Sequence, residues 1–570
     1  MFFIIQSFKG TYCSLNAKKQ DIHYNKNNTR RMIMSVTESQ SLGQFFRKYT
    51  SKHKQKVMIT SLYQEYTFEE VARHVESFAY FLHHELKLKP GDRLAIMMPN
   101  VVQFCIAFWA AQTLGLVTVA INPMYQPDEI QHVMKNSGAK AIVLWDACAK
   151  NFSLAAHGLK YQPQVVITKL GDMLNPLRGA LVNLILRYFR RAVPFYFIKN
   201  RWSFKKALKQ YQGQRVKVTP RKQEDVALLQ YTGGTTGRSK GVMLSNHNIL
   251  SNIDQLIEPY RQLGVKKHYK HLLVLPLFHI YGLCISINAI YNGAQTILIA
   301  NPKDTQQLIH ALRFYKPEVL PLLNTLMVNL LNTRNFHHLK FPWLKVTITG
   351  GMATHKSVAD EWKKVTGCVV NQGYGLSETS PIISVTRFSQ KDEFKSSVGF
   401  PVSKTQIKVL DLNGHPVAKG QPGELWVKGP QVMLGYWQNK AATEEVLKSG
   451  WFATGDVVCV TKDNQIAIVD RIKDMIIVSG FNVYPAEVEM ALTSHPDIIE
   501  AAVVGEASFK GNEAVKAYLV TSKPLTLAQV RYHCKSIISA YKVPTHIEIV
   551  ETLPKSNIGK ILRRLLKHAA

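Results

Sequence analysis

One short segment constrains the fold of this 570-residue chain more than any other: stretch 231–241, which reads YTGGTTGRSKG. It follows an apolar run, Val226 to Leu229, that predicts a buried strand. Its four glycines allow the backbone to turn with positive φ and to bring N–H groups close to a ligand. Three threonines, a serine and a lysine add hydroxyl groups and a positive charge. Because oriented backbone N–H groups form an anion-binding nest, the segment is typical of a loop that binds nucleotide phosphates.

Three other interpretations of this loop compete with phosphate binding. The loop lacks the Lys-Ser/Thr pair of a Walker A motif. Residues 237–241 do match G-x-S-x-G, the nucleophile elbow of α/β-hydrolases, with Ser239 as the nucleophile. An elbow leads directly into a helix, whereas here a second strand-like run, Val242 to Leu244, precedes the helix signal at Ser245. A plain surface loop explains the glycines but not the hydroxyl groups, so phosphate binding is favoured.

Length, charge and cysteine usage set wider limits. The chain is too long for one hydrophobic core, so two or more domains are expected. Its formal net charge of +32 indicates a polyanionic partner, which charge alone leaves open among nucleotide and coenzyme, anionic lipid and nucleic acid. The seven cysteines are scattered without a C-x-x-C pair. This spacing argues against a disulfide framework and a zinc site, and it favours a reducing compartment.

The order of apolar segments predicts the fold class. Short apolar strands alternate with helical patterns, as at 93–98 and 141–144, which indicates an α/β fold with mostly parallel sheets. The uncharged run 101–121 is long enough to span a membrane, but Gly115 divides it into a helix and a strand. A buried α/β pair is therefore predicted there.

The two ends of the chain differ from this pattern. The apolar opening Met1 to Ile5 is a poor signal peptide, because a basic n-region and a long apolar core are missing. Residues 1–38 are expected to form an irregular polar tail, and Met32 or Met34 is an alternative start position. After about Val460 the pattern indicates a small α+β unit of roughly a hundred residues, within the normal size of a domain.

Residues 160–222 form an unusually basic region, with fifteen basic residues and one acid, Asp172. At helical spacing, one face is polar and basic and the other is apolar. The first face holds Asn183, Arg187, Arg190 and Arg191, and the second holds Leu181, Leu184, Ile185 and Tyr188. A basic amphipathic helix can lie on an anionic membrane surface. A solvated face over a domain core is the alternative, and both interpretations stay open.

Five separated motifs occur in order along the chain. They are the loop 231–241, YGLSET at 374–379, TGD at 454–456, DRIKD at 470–474 and PKSNIGK at 554–560. Because these motifs occur in this order, the chain resembles the adenylate-forming superfamily of acyl-CoA synthetases, luciferases and nonribosomal-peptide adenylation domains. The resemblance extends from about Tyr66 to Leu566. Further stretches resemble bacterial long-chain fatty-acid–CoA ligases: GDR at 91–93, NPMY at 122–125, GDML at 171–174, PLFH at 276–279 and GGM at 350–352.

The resemblance implies a domain plan and a reaction. A large adenylation domain at 39–469 with mostly parallel sheets, a hinge at 470–473 and a small mobile α+β domain at 474–570 are expected. In such enzymes a carboxylate attacks the α-phosphate of ATP to give acyl-AMP and pyrophosphate, and the thiol of CoA then displaces AMP. A long-chain fatty acid is the expected acid, with aryl or shorter-chain acids as the alternative.

The resemblance also assigns site residues. Lys560 matches the catalytic lysine, and Thr235 and Glu378 match positions that hold Mg²⁺, hard oxygen ligands for a hard cation. Tyr374 is expected against the adenine ring and Asp456 at the ribose. The full set expected around ATP is Thr232, Gly233, Gly234, Thr235, Thr236, Gly237, Lys240, Gly351, Gly373, Tyr374, Gly375, Ser377, Asp456 and Arg471.

Other positions relate to the acyl group, to CoA and to domain movement. His279 and Gly351 match the acyl pocket, although a lone histidine in an apolar stretch is usually a satisfied core residue. Gly480 and Phe481 match the CoA tunnel, and Lys473 matches the hinge position.

Partners and location complete the expectations. The fatty acid, ATP, CoA and an anionic membrane surface are expected as partners, and nucleic acid is not. A cytoplasmic protein held peripherally at the inner face of a membrane is expected, and a homodimer is left open. Two other classes of function compete with this interpretation. One is a hydrolase that uses Ser239, and the other is a protein that chiefly binds membranes or nucleic acid.

Overall fold

The computed structural model describes residues 36–232, 238–265, 267–387, 392–478, 481–507, 513–555 and 561–567. Two mixed sheets with helices form a large α/β body, and a smaller α+β unit follows it in sequence. The predicted fold class is therefore confirmed. The predicted site residues outside the described residues are Gly233, Gly234, Thr235, Thr236, Gly237, Gly480 and Lys560.

The first sheet holds nine strands within the described ranges. Their order is Phe400–Pro401, Ile382–Val385, Val370–Gly375, Val346–Gly350, Val319–Leu322, Lys270–Leu273, Gln295–Leu298, Val57–Ser61 and Gln64–Thr67. The strands from Val370–Gly375 across to Val57–Ser61 run parallel, and antiparallel pairs close both edges. Ligands of such sheets bind beyond the carboxyl ends of the parallel strands.

The second sheet has eight strands, counted over the same part of the chain. Their order is Gly435–Tyr436, Lys240–Ser245, Val226–Thr232, Val117–Ala120, Arg93–Met97, Ala141–Trp145, Gln164–Thr168 and Arg201–Ser203. Parallel pairing extends from Val226–Thr232 to Arg201–Ser203. The two remaining pairs, at the Lys240–Ser245 end, are antiparallel.

Helices cover these sheets and form the rest of the body. The α-helices of the body are Leu42–Lys52, Phe68–His84, Val102–Thr113, Pro127–Ser137, Ala149–Ala156, Pro176–Leu184, Phe204–Gln210, Asn246–Gln262, Ile280–Asn292, Thr305–Tyr315, Asn324–Leu331, Arg334–His337, Lys356–Thr366 and Lys440–Val446. Shorter 3₁₀ turns lie at Val36–Glu38, Asp146–Cys148 and Ser377–Thr379, and a π-helical turn lies at Ile185–Phe189.

Two helices illustrate how the sequence produces these elements. Every residue of Val102–Thr113 is buried, as expected for a helix that is apolar on all sides, and the strand Val117–Ala120 follows it. This confirms the predicted α/β pair. Phe68–His84 begins with a capping box, in which the Thr67 hydroxyl accepts from the Glu70 N–H and the Glu70 carboxylate accepts from the Thr67 N–H. Across the described ranges, no helix is long and apolar enough to cross a membrane.

A third sheet, which the sequence analysis did not predict, is entirely antiparallel in its described pairs. It contains Gln406–Leu410, Gly423–Lys428, Trp451–Val460, Leu447–Lys448 and Ile466–Arg471. Its strands alternate between buried side chains, such as Leu425 and Val427, and more open ones. This alternation is a weaker sequence signal than the continuous apolar runs of parallel strands.

The small C-terminal unit has its own core. Its strands are Ile476–Val478, Phe481–Val483, Ile498–Ala507, Glu513–Thr521 and His546–Ile549, and its helices are Pro485–Thr493, Leu527–Lys535 and Arg563–Lys567, with 3₁₀ turns at Ile472–Asp474 and Ala540–Lys542. Val488, Leu492, Val503 and Leu519 pack together inside it. Arg471 is the last residue in the third sheet, so sheet membership changes within the predicted hinge segment or directly after it.

Candidate active site

The two described ends of the glycine-rich loop are held side by side. Strand Val226–Thr232 pairs in antiparallel register with strand Lys240–Ser245, and Thr232 lies opposite Lys240. Residues 233–237 connect these paired ends. The next helix, Asn246–Gln262, begins only after the second strand, and the Ser245 hydroxyl caps it. Ser239 therefore does not stand at a strand-to-helix turn, which argues against a nucleophile elbow.

A tyrosine that the sequence analysis missed links the loop to the predicted metal-binding carboxylate. The hydroxyl of Tyr436 donates to Glu378 Oε1 at 2.9 Å, and Lys240 Nζ lies 5.0 Å from the centroid of the Tyr436 ring. The short strand Gly435–Tyr436 pairs with Lys240–Ser245, which brings this ring to the loop. No local pattern marks Tyr436 as a site residue, because Glu378 and Lys240, which its side chain contacts, are distant in sequence.

Glu378 lies in the 3₁₀ turn Ser377–Thr379, directly after the strand Val370–Gly375. Burial raises the pKa of its carboxyl, whereas the hydrogen bond from Tyr436 and the charge of Arg471 lower it. A carboxylate oxygen is a hard ligand suited to Mg²⁺, and a bound cation would offset the cost of burying this charge. Glu378 therefore fits the predicted role. Its expected partner Thr235 lies outside the described residues.

Tyr374, Asp456 and Arg471 form a hydrogen-bonded cluster. The Tyr374 hydroxyl donates to Asp456 Oδ2 at 2.6 Å, and Arg471 Nε donates to Asp456 Oδ1 at 2.9 Å. Asp456 and Arg471 face each other on paired strands of the third sheet, whereas Tyr374 belongs to the first. Burial, followed by the Asp456 charge, raises the pKa of Tyr374. The cluster thus joins two sheets, and it brings together three residues that lie far apart in sequence.

The predicted glycines lie at the carboxyl ends of neighbouring parallel strands. Gly373 pairs with Gly350, and Gly351 follows with φ of +78°. A Cβ on Gly375 would lie 1.8 Å from the Pro381 carbonyl oxygen, so this position accommodates only glycine. A Cβ on Gly350 would lie 3.1 Å from the Tyr281 hydroxyl. The absence of side chains here allows close approach at the end of the sheet where ligands bind.

His279 stabilises the start of a helix. It caps the helix Ile280–Asn292, and its Nδ1 accepts from the Tyr281 N–H at 3.2 Å. Burial lowers the pKa of His279 to about 4, so the imidazole is neutral at neutral pH. The neighbouring Gln230 amide donates to the Phe278 carbonyl oxygen, which ties this segment to the end of the loop-bearing strand. The acyl-pocket role of His279 and Gly351 stays a prediction.

The predicted hinge residue Lys473 lies beside the site, and the predicted tunnel residue Phe481 lies in the small C-terminal unit. Lys473 occupies the 3₁₀ turn Ile472–Asp474. Burial lowers the pKa of Lys473, while the carboxylates of Asp474, Asp456 and Glu378 act in the opposite direction. Phe481 is half exposed, and its ring lies 5.0 Å from that of Tyr541. Their roles stay predictions, as do those of the residues outside the described ranges.

The basic region contains an exposed apolar surface, which we call the basic helix surface. It comprises the helix Pro176–Leu184, the π-helical turn Ile185–Phe189 and the segment 190–201. Apolar side chains with exposed fractions from 38% (Ile185) to 87% (Leu177) extend along it: Leu177, Leu181, Leu184, Ile185, Tyr188, Phe189, Phe195 and Phe197. Exposed basic side chains lie among them: Arg178, Arg187, Arg190, Arg191, Lys199 and Arg201. The apolar face of the helix does not cover a domain core.

Glycine contacts hold this helix to the body with its apolar side chains outward. A Cβ on Gly179 would lie 2.3 Å from the Gly171 carbonyl oxygen, so the two backbones touch. The Gly171 N–H donates to Asn183 Oδ1, and the Asn175 side chain caps the helix by accepting from the Arg178 N–H. These contacts therefore fix the orientation of the helix in which its apolar side chains are exposed.

Two family models match this chain, and curated relatives are similar to it over most of its length. A family model described as AMP-binding enzyme matches residues 46–437, and one described as AMP-binding enzyme C-terminal domain matches 487–560. A long-chain-fatty-acid–CoA ligase of Escherichia coli O157:H7 is 40% identical over 536 residues, covering 93% of this chain and 95% of its own. One of Yersinia pestis is 39% identical over 534 residues, covering 92% and 94%.

A solved structure shares the fold over nearly the whole chain. An anthranilate CoA ligase in complex with anthranoyl-AMP superimposes with a TM-score of 0.83 at 22% identity, covering 94% of this chain and 99% of that one.

Proposed function

This chain belongs to the AMP-binding enzyme family, and from that premise we propose that it is a long-chain fatty-acid–CoA ligase. It activates the acid with ATP to give acyl-AMP and pyrophosphate, and it then transfers the acyl group to CoA, releasing AMP. The observation that carries this proposal is identity of about 40% to long-chain-fatty-acid–CoA ligases over more than nine-tenths of the chain.

The first half-reaction needs positioning more than acid–base chemistry. A fatty carboxylate is ionised at neutral pH, so no general base is required. The enzyme must bring two anions together and stabilise the charge that develops on the phosphoryl oxygens. We assign the bridging cation to Lys560, and the loop from Thr232 to Lys240 to the phosphates. Lys240 of that loop is held over the Tyr436 ring.

The nucleoside would bind at the cluster of Tyr374, Asp456 and Arg471. Each Asp456 oxygen already accepts one hydrogen bond, from Tyr374 or from Arg471, and each has a second lone pair for a ribose hydroxyl. Tyr374 is held in place by this bond, which supports its role beside the adenine ring. We assign Gly373 and Gly375 to the same strand end, where the lack of a side chain on Gly375 lets the backbone pass close to the Pro381 carbonyl oxygen. Ser377 supplies a hydroxyl beside Glu378.

We assign Mg²⁺ to Glu378 and Thr235, and when bound it would neutralise charge on the phosphates. The described partner of Glu378, Tyr436, keeps one carboxylate oxygen in place and favours the ionised form. Protons compete with the metal for this carboxylate, because burial raises its pKa. Metal binding should therefore weaken as the pH falls through that raised pKa.

Replacing Tyr436 by Phe should raise the magnesium requirement. Loss of the hydroxyl removes a hydrogen bond to a charged group, worth roughly 1.5–3 kcal/mol, and it raises the pKa of Glu378 further. We expect about tenfold more Mg²⁺ for half-maximal pyrophosphate exchange at neutral pH, and an acid limb shifted to higher pH. The measurement is exchange rate against Mg²⁺ concentration at several pH values. Tyr532→Phe, at an exposed tyrosine, is the control. An unchanged requirement at every pH would contradict the assignment.

The second half-reaction would use movement of the small domain. We propose a large domain at 39–469, a hinge at 470–473 and a small domain at 474–570, with Lys473 as the hinge residue. The change of sheet membership after Arg471 supports a division there. Gly480 and Phe481 would then line the entry of the CoA thiol. Because acyl-AMP is a mixed anhydride, this thiol needs little activation.

A panel of carboxylic acids tests the proposed reaction directly. Purified full-length protein is given ATP, Mg²⁺ and CoA with aryl, short-, medium- and long-chain acids, and AMP release is measured. We expect the highest kcat/KM with long-chain acids. We also propose that His279 and Gly351 line the pocket that holds the acyl chain. Preference for aryl or short acids would replace the substrate class while keeping the reaction. No AMP release with any acid would overturn the proposal.

We further propose that the basic helix surface binds an anionic membrane peripherally. Its exposed apolar side chains are interspersed with arginine and lysine, the composition of helices that lie in a lipid interface. Such contact would deliver an insoluble fatty acid to the enzyme. The mixture of large apolar and basic side chains fits a lipid interface better than a nucleic acid, whose affinity is dominated by phosphate contacts.

Removing two arginines from this surface should weaken vesicle binding. Basic residues near an anionic surface each contribute about 1 kcal/mol, so Arg190→Gln with Arg191→Gln should lower affinity roughly thirtyfold. Flotation with vesicles containing phosphatidylglycerol, at low and high salt, measures this. Lys419→Gln with Lys462→Gln, exposed in turns between strands of the third sheet, is the charge-matched control. Equal binding by both double variants would contradict the site, and tighter binding to RNA than to vesicles would favour nucleic acid instead.

A further inference from the structure

The described residues on either side of the segment 556–560 are tied together. Lys555 and Ile561 form an antiparallel bridge, and the Leu562 N–H donates to the Pro554 carbonyl oxygen at 2.8 Å. The helix Arg563–Lys567 begins directly afterwards. Wherever the intervening residues lie, both ends of the segment that carries Lys560 leave the small domain from one defined place.

Arg563, three residues after Lys560, makes a buried network of charge-assisted hydrogen bonds. Its Nε and Nη2 donate to Glu489 Oε1 at 3.1 and 2.9 Å, and Nη2 also donates to Glu489 Oε2 at 2.7 Å. Its Nη1 donates to Asp474 Oδ2 at 3.2 Å. The three side chains are 17%, 15% and 14% exposed. A planar guanidinium holds two carboxylates with a fixed fork of donors, whereas a lysine would keep the charge without that fixed geometry.

The partners of Arg563 join separate elements of the small domain. Glu489 lies on the helix Pro485–Thr493, and its Oε1 also accepts from the Val503 N–H at 2.8 Å, on the strand Ile498–Ala507. Asp474 ends the 3₁₀ turn that contains Lys473, the proposed hinge residue. One side chain thus connects the end of the lysine-bearing segment, the domain core and the far side of the hinge.

We propose that Arg563 is a positioning residue for Lys560, fixing the base of its segment to Asp474 and Glu489. This inference rests on the proposed function, because it assumes that Lys560 acts in the adenylation step. A rotation at the hinge then carries Arg563, Asp474 and Glu489 together, and with them the base of the segment that bears Lys560. Without the network, the segment would leave the domain in variable directions. A displacement of about 1 Å in a catalytic group can cost on the order of 10²-fold in rate.

A second ion pair of the same helix, formed by a buried lysine and a partly exposed carboxylate, distinguishes positioning from stability. Lys542 Nζ donates to both oxygens of Glu487, at 2.6 and 2.7 Å, and its side chain is also buried. Glu487 and Glu489 share one helix, whereas Lys542 ends the 3₁₀ turn Ala540–Lys542, about twenty residues before Arg563 in the chain. Breaking either pair leaves a carboxylate without its cation, and each loss should destabilise the small domain. Only the Arg563 pair should affect the lysine.

The test compares Arg563→Lys, Arg563→Met and Lys542→Met in the full-length enzyme. Two reactions are measured: pyrophosphate exchange, and thioester formation from supplied palmitoyl-adenylate and CoA. For Arg563→Met we expect exchange kcat to fall about 10²-fold, with the KM for ATP little changed and thioester formation near the wild-type rate. Arg563→Lys should lose about tenfold while its melting temperature stays close to that of the wild type. Lys542→Met should affect the two reactions equally.

Further comparisons separate the failure of this inference from the failure of the proposed function. The double variant Arg563→Met with Glu489→Met removes both charges of the pair, and we expect its melting temperature to recover relative to Arg563→Met while exchange stays low. Recovery of exchange together with stability would overturn the positioning role, as would equal loss of both reactions in Arg563→Lys. Lys560→Ala is assayed in parallel. If it loses exchange and Arg563→Lys does not, positioning fails alone. If Lys560→Ala keeps exchange, the proposed role of the lysine fails instead.

Discussion

Replacing Lys560 by Ala is expected to abolish carboxylate-dependent exchange of pyrophosphate into ATP. In the proposed mechanism its ammonium lies between two anions, the fatty carboxylate and the α-phosphate, which repel each other without it. Removal of one electrostatic stabiliser of a transition state typically costs 10²–10³-fold in kcat, on the order of 3–4 kcal/mol. Isotope exchange measures the adenylation step alone, so the loss can be assigned to that step.

Two accompanying variants make this result specific. Lys567→Ala removes an exposed lysine from the following helix, and exchange should stay near the wild-type rate. Thioester formation from supplied palmitoyl-adenylate should survive in Lys560→Ala, because the lysine is proposed to act only in the first step. Near-normal exchange in Lys560→Ala would remove this residue from the mechanism.

The apolar core and the parallel sheets could be predicted from the sequence because their signals are local. The run 101–121 contains its own evidence: an uncharged helix, a glycine and an apolar strand, all found as predicted. The loop between Thr232 and Lys240 is likewise flanked by two strand-like runs that the structure confirms. The third sheet was missed because its strands are only alternately buried.

Site geometry could be predicted only where a motif carries the information. Asp456, Arg471 and Tyr374 lie in three motifs, and the structure brings them together. Tyr436 and the partners of Arg563 depend on contacts between elements distant in sequence, which no local pattern encodes. The direction of the apolar face on the helix Pro176–Leu184 was open for the same reason. Periodicity identifies two faces of a helix, but the glycine contact at Gly171 and Gly179 decides which of them is covered.

Replacing Lys473 by Pro should separate the two half-reactions. Lys473 lies in a 3₁₀ turn, whose φ of about −50 to −70° a proline ring can adopt. A hinge must reach a second backbone conformation, and a ring that fixes φ opposes this change. Holding a residue in an unfavourable φ/ψ region costs about 1–3 kcal/mol, so the rotated state should become roughly tenfold to a hundredfold rarer. We expect exchange to be largely kept and thioester formation to fall by that factor.

The charge of Lys473 must be separated from its backbone in this experiment. The side chain is partly buried near Asp474, Asp456 and Glu378, so its removal alone could alter nucleotide binding. Lys473→Ala removes the same charge and leaves φ free, and it should slow both half-reactions by a similar, smaller factor. Proline should therefore differ from alanine in the thioester step and not in exchange. Equal loss of both half-reactions in Lys473→Pro would contradict the role of Lys473 as a hinge. A domain rotation that only thioester formation requires should slow that step and leave exchange largely unchanged.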